Sequence, residues 1–254
     1  MTGVDHIPDI AKAFEILTIS NRTFTITNVN VRLHLRKGMV SGPGKEVNMG
    51  ITIRLEEEKD YRNVENLIRD AFWNVYRPGC MEHYVMHCFR DDPAFIRELD
   101  YIMELDGELI GHAMYCRSEI LLSDGSIKPV ITLGPICIAN EFKRKGYGKQ
   151  LLDATLEKAK EAGYGAVIME GNIDFYGKSG FVPSKSKGIR YADDPEADYL
   201  LCLELKQGYL DGIDGTWTDP GGYFVCQNDP EGFEKFEAGF PFKEKKKLPG
   251  QLFG

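Results

Sequence analysis

The sequence predicts an α/β fold: one mixed, mostly antiparallel sheet of six to seven strands with helices on both faces. Three observations carry this. Apolar, β-branched runs recur between residues 51 and 205, and two of them flank Asp106-Gly107, a pair suited to a two-residue hairpin turn. Segments of 3.6-residue periodicity alternate with them, notably Val64, Leu67, Ile68, Ala71, Phe72 and Val75, and later Leu152, Thr155, Leu156, Ala159 and Ala162. The apolar run at residues 131–138 passes straight into a basic glycine turn and a helix.

Taken in order, Val29, Val31, Leu33 and Leu35 alternate with polar residues as a strand would, and SGPGK at 41–45 reads as a loop. Two readings of residues 1–48 stand: a dispensable N-terminal extension, with Met49 as the natural start, or an added strand or hairpin. Ile51, Ile53 and Leu55 alternate with Thr52 and Arg54, giving the first strand of a domain over residues 49–205. Asp60 is the expected N-cap of the helix running to Val75, which Arg77-Pro78-Gly79 stops. A second helix is expected over residues 82–90, ended by Asp91-Asp92-Pro93. Strands follow at 99–105 and 108–120, a turn at 123–126, and then the central strand.

Gly134-Pro135 interrupts that strand, although proline cannot donate to a ladder. Either the strand bulges and the sheet splays, exposing unpaired peptide groups in a cleft, or this is an ordinary edge strand. The helix after it ends at Gly163, and strands are expected at 166–169 and 199–205. Residues 206–254 read as a C-terminal extension. Trp217, Tyr223, Phe224, Phe233, Phe236, Phe240 and Phe242 predict packing on the domain, with a helix over 231–237 and a solvated basic run at 243–247.

The turn Lys143-Arg144-Lys145-Gly146-Tyr147-Gly148-Lys149 has the chemistry of an anion site. Its glycines allow tight backbone approach, and the first N–H groups of the next helix lack partners. The plain alternative is a solvated basic turn. A second motif, NIDFYGKSGF at residues 172–181, follows the strand at 166–169.

Together, LGPICIANEFKRKGYGKQLL and NIDFYGKSGF resemble the GNAT superfamily of acyl-CoA-dependent N-acyltransferases, with lysine where that family's glycine loop opens with glutamine or arginine. The likeness spans about residues 51–205. It implies a sheet splayed at the central strand, acetyl-CoA as acyl donor, and direct attack by a primary amine, small molecule or peptide, in a ternary complex. It also implies that Lys143, Arg144, Lys145, Gly146, Tyr147, Gly148 and Lys149 hold the diphosphate. Backbone groups of Ile136, Cys137 and Ile138 would pair with the pantetheine arm, and Tyr176 would donate to the leaving thiolate. The first two helices would wall the acceptor site. The alternative from another class is a non-catalytic acyl-CoA-binding regulatory or partner-binding module.

Other chemistries fit less well. A net charge of −8 argues against nucleic acid, and no apolar run reaches a membrane span. No signal segment opens the chain. Six cysteines without CxxC pairs read as reduced core thiols, which points to the cytoplasm. Cys80, His83, His87 and Cys88 lack an HExxH glutamate or a second cluster, so no metal is expected. GNIDFYGKS misses P-loop spacing by one residue, and Leu151 stands where a Rossmann fingerprint needs its third glycine. The general base stays open among Glu82, His83, His112 and Glu170, with a structural role favoured for a lone strand histidine. The acidic loop 193–198 reads as solvated, or as an attractor of cationic acceptors. The amine acceptor and homodimer formation stay open.

Overall fold

Asp106 and Gly107 both take left-handed backbone, φ 53° and 85°, and join β2 (Tyr101–Leu105) to β3 (Glu108–Leu122). That is the turn geometry whose twist matches the flanking strands. The computed structural model describes residues 50–252. The alternating segment near residue 30 and the question of a dispensable N-terminus lie outside the described residues.

The sheet grows from this hairpin. β1 (Ile51–Leu55) pairs with β2, and β3 pairs along its length with β4 (Ile127–Ile138). β5 (Ala166–Glu170) runs parallel to β4, and beyond it lie β8 (Leu200–Glu204) and the two-residue β6 (Val182–Pro183). β7 (Ile189–Tyr191) pairs with β9 (Gly215–Trp217), and β9 joins the far half of β3. Among the described residues the sheet therefore has nine strands. The surplus over the sequence expectation consists of two- and three-residue strands too short to show periodicity. Among the described residues only the β4–β5 and β7–β9 pairs are parallel.

Alternation along β3 and β4 divides the core. Ala113, Tyr115, Ile131 and Leu133 face one side, where α3 (Tyr147–Glu161) buries Leu151, Leu152, Leu156 and Ala159. Met114, Cys116 and Cys137 face the other, against α1 (Tyr61–Phe72) and α2 (Glu82–Phe89). Burying Val64, Leu67 and Ile68 of α1 contributes about 1.5–3 kcal/mol each.

Two local expectations fail, each for a visible reason. The first helix stops at Phe72, short of Val75. Asn74 takes φ 60°, and its backbone N–H and side-chain carbonyl close a loop onto Gly79, leaving Val75 exposed. Asp60 stands at the helix start but does not cap it: its carboxylate accepts from the Glu57 N–H and from Arg54.

The C-terminal segment folds back over α1 and α2 through α5 (Val225–Asn228) and α6 (Pro230–Glu237). Glu237 lies between the Arg69 guanidinium and His83 Nε2, at 2.8 Å from the latter. Farther on, the Glu244 carbonyl accepts from Trp73 Nε1 and Asn74 Nδ2, fixing the loop between α1 and α2.

Candidate active site

β4 is a central strand, and its proline lies in a bulge. Gly134 and Pro135 fall between the pairs Tyr115–Leu133 and Ala113–Ile136, where the β3–β4 register shifts. On the opposite edge, β4 pairs with β5 only at Ile131–Val167 and Thr132–Ile168. A continued ladder would bring Leu133 to Met169 and Gly134 to Glu170; instead the strands part. The Ala139 N–H donates to the Ile110 carbonyl of β3. By strand alternation the peptide groups of Ile136 and Ile138 point the other way, into the gap. Cys137 is the exception to the predicted trio. It pairs in register with His112, so its peptide groups serve β3 rather than the gap.

The basic turn follows directly. Arg144 and Gly146 take φ 62° and 91°, and after that reversal Gly148 at the start of α3 stands beside Ile138 of β4 and Phe175. A Cβ at Gly146 would meet nothing, so the glycine is needed for its backbone angle rather than for space. The helix ladder begins at the Gln150 N–H, and no side chain among the described residues caps Tyr147, Gly148 or Lys149. These are free donors at the positive end of a fifteen-residue helix.

The cationic side chains are less uniform than the sequence suggests. Lys143 turns away and donates to the Ala71 carbonyl at 2.9 Å, fastening the turn to the end of α1. Burial holds its ammonium below the usual range. Lys149 is drawn to Asp153, which also accepts from Ser179. Lys145 lies over the Phe142 ring. Arg144, Lys145 and Gly146 are exposed at the tip.

Tyr176 closes α4 (Ile173–Tyr176), whose start is capped by the Asn172 side chain on the Asp174 N–H. Its ring packs edge-on to Phe175 and Phe181 and lies over Gly171, where a Cβ would stand 2.5 Å away. Burial, with Tyr76 and Tyr115 nearby, pushes the phenol well above its ordinary value, so it remains a proton donor.

Two of the base candidates belong to structural networks. His83 is bound to Glu237, and burial lowers it to about 4. His112 is fully buried, bound to Asp100 at 2.8 Å, and also lowered by burial to about 4. Among the described residues, Glu56, Asp100 and His112 form a close set of metal-type donors. Arg90 forks onto Glu56 at 2.7 and 3.1 Å and supplies the positive charge there. The sequence cluster near His83 is likewise engaged, with His87 bonded to Glu65.

Glu82 and Glu170 remain. Tyr76, in the α1–α2 loop, feels the charge of both. Glu170 lies open to water at the cleft mouth, but the cleft walls strip much of the solvent from its carboxyl. With the charge of Asp219, they push it up to about 7. The acidic loop is partly spoken for, Asp194 accepting from Tyr199 and Asp198 pairing with Lys185. Asp219, Tyr191 and Tyr223 were missed in the sequence, where TWTDPGGYF shows only turn residues and aromatics.

Residues 62–181 match the model of the acetyltransferase (GNAT) family. An uncharacterized N-acetyltransferase of Escherichia coli (strain K12), YhbS, is 22% identical over 163 residues, spanning 64% of this chain and 92% of that protein. The solved structure of Escherichia coli YhbS in complex with CoA aligns with TM-score 0.60 at 20% identity, covering 73% of this chain and 96% of that one. A GNAT family acetyltransferase from Brucella melitensis in complex with acetyl-CoA aligns with TM-score 0.53 at 21% identity, covering 68% and 97%. At these identities the solved structures establish the fold.

Proposed function

We propose that this chain, whose residues 62–181 match the acetyltransferase (GNAT) family model, moves an acetyl group from acetyl-CoA to a primary amine by direct attack in a ternary complex. The supporting observation is the junction just described. It combines a parted β4–β5 pair, an uncapped start to the helix that follows β4, and Tyr176 packed over Gly171 just past the end of β5.

In this reading the N–H groups at residues 147–149 hold the diphosphate, with Arg144 and Lys145 adding field at the rim. Lys143 acts through its main chain, its side chain serving α1. The peptide groups of Ile136 and Ile138 pair with the amide-bearing arm of the donor. One of their N–H groups polarises the thioester carbonyl and stabilises the oxyanion formed on attack. Confinement of both reactants in one gap supplies the proximity contribution. Tyr176 gives a hydrogen bond or proton to the departing sulfur. Burial raises the phenol well above its ordinary value, so it stays protonated and acts on the departing sulfur chiefly as a hydrogen-bond donor. All six cysteines are unpaired, which fits a reducing, cytoplasmic compartment.

The test is release of free thiol from acetyl-CoA with a panel of polyamines, amino acids, aminoglycosides and peptides with free N-termini. The expected result is release with at least one class. Binding of acetyl-CoA without release for any amine would instead favour a non-catalytic acyl-CoA-binding module.

A further inference from the structure

Two stretches outside the span that matches the family are fastened to it near the gap and the basic turn. The chain after β9 forms the far wall of the gap. The Tyr191 hydroxyl donates to Asp219, and the Tyr223 hydroxyl donates to the Gly134 carbonyl at 2.6 Å, where β4 leaves β5. The second stretch is a C-terminal strap, residues 241–251, which lies along the end of α1.

A helix leaves its last four carbonyls without partners of its own. In α1 each of the four is answered from outside the helix ladder. The Arg69 carbonyl accepts from Cys80 Sγ at 3.7 Å, and the Phe72 carbonyl from the Val75 N–H at 3.0 Å. The other two are taken by side chains of the basic turn and of the residues leading into it. Asn140 Nδ2 donates to the Asp70 carbonyl and Lys143 Nζ to the Ala71 carbonyl, each at 2.9 Å. Lys143 also brings positive charge to the negative end of the helix dipole. The basic turn is thus anchored on the last turn of α1.

The strap holds that same helix end. Asn74, in left-handed backbone at φ 60°, is its main anchor. The Asn74 side-chain oxygen accepts from the Lys246 N–H at 2.9 Å, its Nδ2 donates to the Glu244 carbonyl at 3.1 Å, and its own carbonyl accepts from Gln251 Nε2 at 3.0 Å. Trp73 Nε1 donates to the same Glu244 carbonyl at 3.0 Å, and the Pro241 carbonyl accepts from Arg69. Asp70 is gripped from both directions, its carboxylate by Lys243 of the strap and its carbonyl by Asn140.

We infer that the C-terminal strap positions the basic turn. Residues 241–251 hold the end of α1 where Asn140 and Lys143 anchor the turn, so docking of the strap and binding of acetyl-CoA strengthen each other. Asn74, Gln251 and the Lys143 side chain are positioning residues in this arrangement. The identity of the ligand rests on the acetyltransferase reading; the fastening of strap to turn does not. By linkage, the factor by which the docked strap tightens acetyl-CoA is the factor by which acetyl-CoA tightens the strap.

The experiment reads both directions in the full chain. Calorimetric titration with acetyl-CoA compares the unaltered protein, Gln251→Ala, Lys143→Met and the two substitutions together. Each single substitution should weaken acetyl-CoA about fivefold. The double variant should lose little more than either alone, because both release the same helix end. Amide hydrogen exchange supplies the reverse reading. The Lys246 N–H, bound to Asn74, and the Leu248 N–H, bound to Gln251 Oε1, should exchange about fivefold more slowly with saturating acetyl-CoA. In Lys143→Met that response should vanish. A strap that only stabilises the fold would not respond to acetyl-CoA, and a Lys143 that only adds charge would give losses that multiply. Unchanged affinity in Gln251→Ala, multiplying losses, or strap exchange indifferent to acetyl-CoA overturns the inference while the acetyltransferase reading stands. Failure of the unaltered protein to bind acetyl-CoA defeats that reading and the inference with it.

Discussion

Glu237→Ala tests whether the C-terminal segment is an integral wall of the domain. The carboxylate accepts from Arg69 Nε at 3.1 and 3.2 Å, from Arg69 Nη2, and from His83 Nε2 at 2.8 Å. Arg69 is 3% exposed and His83 fully buried. Truncation leaves the guanidinium with the Pro241 carbonyl at 3.1 Å and the faces of Trp73 and Phe240 at 4.2 and 5.2 Å. Removing one partner of a buried ion pair costs about 3–5 kcal/mol. The Glu237 side chain keeps 17% of its surface in water, and solvent entering behind it lowers the expected loss to about 2–4 kcal/mol. For a chain of this size that is roughly 5–15 °C in melting temperature. The assay is urea and thermal unfolding followed by tryptophan fluorescence. Glu244→Ala is the control, because among the described residues that side chain makes only an exposed pair with Lys246. A loss below about 1 kcal/mol would refute the reasoning and leave residues 206–254 as a loosely attached extension.

The same contacts set a pH dependence. Burial holds folded His83 at about 4 against an ordinary 6.5, so the unfolded chain binds a proton the native one refuses. Stability present above pH 6.5 is therefore lost as pH falls towards 4, by about 2–3 kcal/mol, and His83→Gln should flatten that limb of the urea midpoint. Burial pushes the Glu237 carboxyl up, but Arg69 and His83 overcome it and leave it below the usual value, so its contribution is also lost in acid. Tyr176→Phe should lower turnover about 100-fold while leaving acetyl-CoA affinity in place, as read by thiol release and titration; equal turnover would remove Tyr176 from the reaction. Gly146→Ala forces a side chain into left-handed backbone at about 1–2 kcal/mol, and should weaken acetyl-CoA binding about tenfold in the same titration. Unchanged affinity would show that the turn does not hold the donor.

What the sequence could show about this protein follows the range of each signal. The Asp106-Gly107 turn and the periodicity of α1 and α3 are local, and each is present in the structure. Gly134-Pro135 narrowed β4 to two readings, and only the length of the β5 ladder chooses between them. The end of α1 was misread because Asn74 is recruited by Gly79, five residues beyond, and later by the C-terminal tail. The far wall of the gap was beyond sequence reading altogether. Tyr223 meets Gly134 across 89 residues, and Tyr191 meets Asp219 across 28, with no repeat or spacing that announces either. The resulting division is physical. On the proposed reading, residues 131–181 carry the local motifs for the donor, while the acceptor side would be assembled from separated side chains joined only by folding. On that reading a search by motif finds the donor residues and leaves the amine undefined. Substitutions at Asp219 or Tyr223 should accordingly alter which amine is taken before they alter how acetyl-CoA is held.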